Sequence, residues 1–115
     1  MMPHLPYADA VHAALTAAGH TPDIVHAYED DRGDLLARYE WLDAEIVLLW
    51  TSYSGWRYEA PSGSGGPLFV DTIADPAELA QAVALIADGR PPHRSTARWT
   101  NAPVLDRALS DRESQ

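Results

Sequence analysis

The stretch "EIVLLWTSYSGWRYE", residues 45–59, limits the possible folds more than any other part of the chain. "EIVLL" sets β-branched and aliphatic residues side by side, so both faces of a strand there are apolar, as inside a covered sheet. Ser52-Tyr53-Ser54-Gly55 follows, with serine first and glycine fourth, a pattern that fits a type I turn closing through a glycine bulge. Aromatics then return on the far side. The expected hairpin pairs Ser52 with Trp56 and Trp50 with Tyr58, and it puts Ile46, Leu48, Trp50 and Tyr58 on one face. Cross-strand aromatic pairs of this kind contribute roughly 0.2–1 kcal/mol beyond their burial. A chain that carries this hairpin needs a second layer to cover it.

The best-marked covering element is "DPAELAQAVALIADG". Asp75 is suited to cap the helix, Pro76 to its first position, and Glu78 completes an arrangement like a capping box. Leu79, Val83 and Ile86 form the apolar stripe, and Gly89 stops the helix. An earlier helix is expected over Tyr7–Ala18, where Val11, Ala14, Leu15 and Ala18 recur at helical spacing before Gly19. Residues 23–29 alternate weakly and read as a strand, followed by the acidic turn "EDDRGD". Residues 35–42 fit either period. As a strand, Leu35, Ala37, Tyr39 and Trp41 share a face; as a helix, Leu35, Tyr39 and Leu42 do. The aromatics and the flanking turn signals favour the strand. "PSGSGGP" (61–67) reads as a flexible loop and "LFVDTI" (68–73) as a short final strand.

The expected fold is therefore α+β, a two-layer sandwich in the order α-β-β-β-β-α. About four antiparallel strands are covered on one face by two helices over residues 1–89. Residues 90–115, rich in arginine and proline, read as a partly disordered tail or one short helix. A leading helix, "IVLLW", a short turn, "GW" and a late helix opening at "DP" are together similar to a family of small uncharacterised actinobacterial domains. The resemblance spans roughly residues 7–89. That family has no assigned activity, so no functional residue is carried over.

Charge and composition narrow the chemistry. The chain has 115 residues and a formal charge of −9, and cysteine is absent. Disulfides, thiolate catalysis and cysteine-ligated zinc are excluded. All eight basic residues are arginine and asparagine occurs once, at Asn101, the signature of a high-GC genome. The lack of lysine removes the Walker A lysine and Schiff-base chemistry. Residues 1–89 carry three arginines against fourteen acids, a net of −11, while residues 90–115 carry five against three, a net of +2. Such an acidic body repels nucleic-acid phosphates, so no nucleic-acid partner is expected. The N-terminus has neither a basic nor an apolar leader region, and no apolar run reaches the ~20 residues that span a bilayer. The expectation is a cytoplasmic protein with no membrane contact.

No motif completes a catalytic set. His4, His12, His20, His26 and His93 fall on separate elements and form no metal-ligand spacing. Gly63-Ser64-Gly65 lacks the strand and helix of a nucleophile elbow, and no helix opens directly behind it to bind a phosphate. The acidic groups Glu40, Asp43 and Glu45, and Asp30, Asp31 and Asp34, read as a solvated rim, and Arg32-Gly33-Asp34 as a turn. No cofactor, metal or enzymatic activity is expected.

The aromatic rings remain. Burying one removes about 150–250 Å² from water, so Trp50 and Tyr58 are assigned to the core. Trp41, Tyr53, Trp56 and Arg57, near strand ends and the turn, form a candidate contact surface, with Trp99 in the tail a further candidate. The expected function is a non-catalytic protein-interaction module binding another protein through this aromatic hairpin face, the tail, or both. One alternative is a small-molecule binder or simple hydrolase with a cleft lined by Tyr39, Trp41, Trp50 and His12. Another is an acidic inhibitor or immunity-type protein masking a basic partner. Pairing of two copies through a sheet edge is a third.

Overall fold

The computed structural model describes residues 2–113. Met1, Ser114 and Gln115, the ends of the two expected segments, lie outside the described residues. The described chain is an α+β two-layer structure with α1 (Leu5–Ala17), β1 (Ile24–Glu29), β2 (Leu35–Trp41), β3 (Ile46–Thr51) and β4 (Gly55–Glu59). A 3-10 turn (Pro61–Gly63), β5 (Gly65–Pro67), α2 (Pro76–Ala87) and α3 (Ala102–Glu113) follow. The strands form one antiparallel sheet in sequence order, β1-β2-β3-β4-β5.

Residues 35–41 resolve as strand. Leu35, Ala37, Tyr39 and Trp41 are buried while Leu36, Arg38 and Glu40 between them are not, the period of two that one covered face imposes. The α2 helix begins as its sequence indicates, with Asp75 Oδ1 accepting the Ala77 N–H at 3.1 Å and Pro76 opening the first turn. The Glu78 carboxylate completes no capping box, because it turns outward to His93 Nε2 at 3.1 Å. The Asp75 N–H donates instead to the Ala97 carbonyl.

The hairpin register differs from the expected one by two residues. Trp50 pairs with Trp56, Leu48 with Tyr58 and Thr51 with Gly55. The Thr51 hydroxyl contacts the Ser54 hydroxyl and accepts the Ser54 N–H, so the loop tightens around Ser52–Ser54. Gly55, at φ 78°, then enters the ladder itself. A shift of two preserves the faces, so Ile46, Leu48, Trp50 and Tyr58 still lie on one side. It also moves Trp56 from opposite Ser52 to opposite Trp50, into the middle of the layer.

Two further segments differ from expectation. "LFVDTI" is irregular, and the fifth strand is the glycine stretch before it, inside the expected loop. A Cβ at Gly65 would lie 2.6 Å from the Tyr58 carbonyl oxygen, so only glycine lets β5 approach β4 this closely. The backbone of 72–74 is taken by other partners. Thr72 O accepts the Trp50 indole N–H at 2.7 Å, and 73–75 pairs with 97–99 through Trp99 N to Ile73 O and Asp75 N to Ala97 O. That pairing explains the C-terminal segment. The short helix is present as α3, but it does not trail free of the body. Ala102 and Leu105 are buried in the common core, and Trp99 and Leu109 pack against it.

His4, just ahead of α1, is fully buried. Its ring stacks on Trp50 at 5.7 Å, and Nε2 donates to the Leu36 carbonyl at 2.9 Å. That bond fixes the proton on Nε2, and Nδ1 has no hydrogen-bond partner among the described residues. Burial lowers the His4 pKa below 6.5, so the folded state resists a proton that the unfolded chain accepts. Its contribution is fully present above the unfolded value of about 6.5 and is lost as pH falls toward the lowered folded value. Urea unfolding should therefore show stability declining with acid from about pH 6.5. A His4→Phe variant, which keeps a stacked ring, should show a shallower decline than wild type. Identical slopes would contradict the assignment.

Candidate interaction surface

The five residues expected to share a contact surface are distributed over three places. Trp56 is 2 % exposed, and its indole N–H donates to the Tyr7 hydroxyl at 3.2 Å. Trp41 is buried with its indole N–H on the His20 carbonyl at 3.1 Å. Trp99 is half-buried, its ring 5.0 Å from that of Tyr7. These three belong to the covered layer. Tyr53 stands at the hairpin tip, 75 % exposed, and Arg57 lies exposed on the opposite face of the sheet. Trp56 is drawn inward by the two-residue change of register, and the helices then cover it.

The middle of the space between sheet and helices is filled by the same rings, and a concavity of about 520 Å³ opens at its border between Ile46, Tyr58 and Ile86. Tyr39 and Trp50 are wholly buried, and Tyr39 donates its hydroxyl hydrogen to the Ala8 carbonyl at 2.9 Å. Burial pushes the Tyr7 and Tyr39 phenols well above their ordinary range, so both stay neutral donors. His12, on α1, is half-buried. Among the described residues, no group of three or more His, Asp or Glu side chains is placed to hold a metal ion.

The reverse face of the sheet carries the more distinctive pattern. β2 and β4 both run antiparallel to β3, and each contains the tripeptide Arg-Tyr-Glu, at 38–40 and 57–59. Arg38 and Arg57 both pair with Leu49, whereas Glu40 and Glu59 both pair with Val47. The intervening Tyr39 and Tyr58 both pair with Leu48 on the covered side. The uncovered face thus presents a row Arg–Leu–Arg beside a row Glu–Val–Glu, one strand repeat apart. His26 extends the basic row on β1, opposite Arg38, and its ring lies 4.7 Å from Tyr28 on the same face.

Charge makes this row unusual for the chain. Residues 1–89 contain only three arginines, and two of them flank Leu49. Arg38 is tied to Glu40 at 3.3 Å on its own strand, while Arg57 has no ion pair among the described residues. Neighbouring strands lie about 4.8 Å apart, so the two arginine backbones are roughly 10 Å apart, with Leu49 between them. A concavity of about 480 Å³ opens on this face, bounded by Arg38, Val47, Leu49, Arg57 and the Gly63–Gly66 loop. Sequence reading found Arg57 and missed Arg38, Glu40, Val47, Leu49 and Glu59 as one patch. The usable signal was the repeated Arg-Tyr-Glu, with β3 between its two copies.

Substitutions separate the two faces. Trp56→Ala should cost about 3–5 kcal/mol in urea unfolding, as for other buried aromatics. Arg57→Ala and Tyr53→Ala should each stay within about 0.5 kcal/mol of wild type. A mild Trp56→Ala would mean that the ring is not part of the core.

Among the described residues no helix is long and apolar enough to cross a membrane. No family model matches the chain, and no curated protein or solved structure matches it at a significant level.

Proposed function

We propose that the protein is a non-catalytic interaction module that docks another protein on the uncovered face of its sheet, around Leu49. The observation that carries this reading is the cross-strand row Arg38–Leu49–Arg57 beside Glu40–Val47–Glu59. Two half-buried aliphatic side chains flanked by opposite charges match the anatomy of a contact patch: an apolar centre with a polar, specificity-setting surround. The fitting partner presents acidic groups on either side of an apolar side chain, complementing the two guanidinium groups, with basic groups one strand repeat further on. This is the reverse side of the hairpin from the aromatic face that the sequence suggested.

In this account Arg57 contributes most. It is exposed and has no ion pair among the described residues, so pairing with a partner carboxylate disrupts nothing within the chain. Arg38 must share its charge between Glu40 and the partner. Because the contact is charge-matched and exposed, it weakens as salt rises. The α+β body holds the rows in register, since both arginines are fixed by the same residue of β3.

Site-specific photo-crosslinking tests the reading. A benzoylphenylalanine at Leu49 should capture a defined partner in a lysate of the native host, and the same probe at the exposed Val104 on α3 should not. Capture should fall by about tenfold or more with Arg38→Ala and Arg57→Ala combined, and should decline at high salt. Equal capture from both positions, or capture indifferent to the arginines, would remove the patch as the contact.

A further inference from the structure

We infer that β1 is a self-pairing edge, through which two copies of the chain join antiparallel to make one continuous sheet. The two edges of the sheet differ sharply. β5 is three residues long and ends in proline, which lacks the donor that a further strand would need. β1 has six residues and contains neither proline nor glycine. Its pairing with β2 runs through six consecutive partners without a bulge. Ile24 and Val25, which face opposite sides of the sheet, are 40 % and 39 % exposed. Among the described residues no strand pairs with its outer edge.

The charges that would ordinarily guard such an edge are turned back into the chain. Asp23 Oδ2 accepts the Leu42 N–H at 2.7 Å. Glu29 Oε1 holds Arg112 at 2.6 Å. Asp30 Oδ1 accepts both the Arg32 and Asp34 N–H groups at 2.9 Å. Each of the three carboxylates at the ends of β1 is therefore occupied within its own chain, and the strand between them carries no formal charge while His26 is neutral.

The ladder fixes which groups are free. Asp30 N donates to Asp34 O, and Ser52 N donates to Leu35 O. Alternation along an antiparallel ladder then directs the backbone of Ile24, His26 and Tyr28 toward β2. The N–H and C=O groups of Val25, Ala27 and Glu29 point outward. A two-fold axis at Ala27 engages all three: Ala27 faces its own counterpart, and Val25 faces Glu29 of the second copy. About six backbone hydrogen bonds result, two for each directly bonded pair. The smallest side chain of the strand sits at the axis. His26 of each copy faces Tyr28 of the other, extending the His26–Tyr28 ring contact of 4.7 Å into a four-ring ladder across the joint. A strand that is complementary to itself about its own midpoint favours a second copy over an unrelated chain.

This contact uses the edge rather than the Leu49 face, so it stands or falls independently of the interaction reading above. Its salt dependence also has the opposite sign. Two bodies of formal charge −9 repel, so pairing by backbone bonds and rings strengthens as salt screens them.

Sedimentation equilibrium on the full chain decides the matter. The average mass should rise from 12.6 kDa toward twice that value between micromolar and millimolar concentration, and further at high salt. Ala27→Pro removes an outward donor without breaking a bond to β2, and Val25→Glu sets a carboxylate opposite Glu29 of the second copy. Each should lower the association constant by more than about tenfold while keeping the wild-type circular dichroism spectrum. Should Ala27→Pro fail to fold, Val25→Glu decides alone. A wild-type mass of 12.6 kDa at every concentration would overturn the inference, as would association undiminished in folded Val25→Glu.

Discussion

The hydroxyl of Tyr7 is the junction on which the rest of the structure depends. It donates to the Ala74 carbonyl at 2.7 Å and accepts the Trp56 indole N–H at 3.2 Å, in a site closed to water. The same ring meets Trp50, Trp56 and Trp99 at centroid distances of 5.9, 6.0 and 5.0 Å. One side chain therefore joins α1, the central hairpin, the approach to α2 and the returning C-terminal segment. Its phenol stays neutral because burial opposes ionisation. A buried hydroxyl left without partners would cost roughly 1–3 kcal/mol, so each neighbour is held where it satisfies the group. Trp50 and Trp41 repeat the device, each donating an indole N–H to a carbonyl outside the sheet, those of Thr72 and His20. The aromatic layer thus has direction as well as bulk, and that direction sets the registers around it.

Packing consumes most of the rings in this way. The middle of the covered face is filled by its own side chains, and a concavity of about 520 Å³ opens at its border, between Ile46 and Tyr58 of the sheet and Ile86 at the end of α2. The reverse of the same strands faces outward, where the two-residue repeat turns the tyrosine of each Arg-Tyr-Glu to the covered side and its two charges to the open side. The core and the proposed contact patch are alternate residues of one pair of strands. A change of register by a single residue would exchange them, which links the packing of Tyr39 and Tyr58 directly to the display of Arg38 and Arg57.

Much of this was legible in the sequence, and the exceptions have definite causes. The Asp75 cap and the Gly89 stop of α2, the strand over 35–41 and the hairpin faces follow from local spacing and residue type, and the structure has them. The loop closure does not follow from type alone. Side-chain bonds between Thr51 and Ser54 tightened it and carried Trp56 into the core. β5 was hidden because glycine and proline argue against strand, and the nearness of the Tyr58 carbonyl explains the glycine at 65. The order of the C-terminal segment rests on the nonlocal pairing of 97–99 with 73–75. One local sign was present: Ala102, Leu105 and Leu109 at helical spacing after Asn101. The patch around Leu49 was missed because its members lie on three strands, and charged residues on an open face read as ordinary solvation until the pairing aligned them.

The tryptophan hairpin has a sealed aromatic side and an open charged side. Hydroxyl-radical footprinting of the free protein, read by mass spectrometry, tests it most directly. Strong protection of Trp50, Trp56 and Tyr39 is expected, together with rapid oxidation of Tyr53 and measurable oxidation of Leu49 on the open face. Oxidation of Trp56 at a rate like that of Tyr53, with Leu49 protected, would mean that the two faces are inverted.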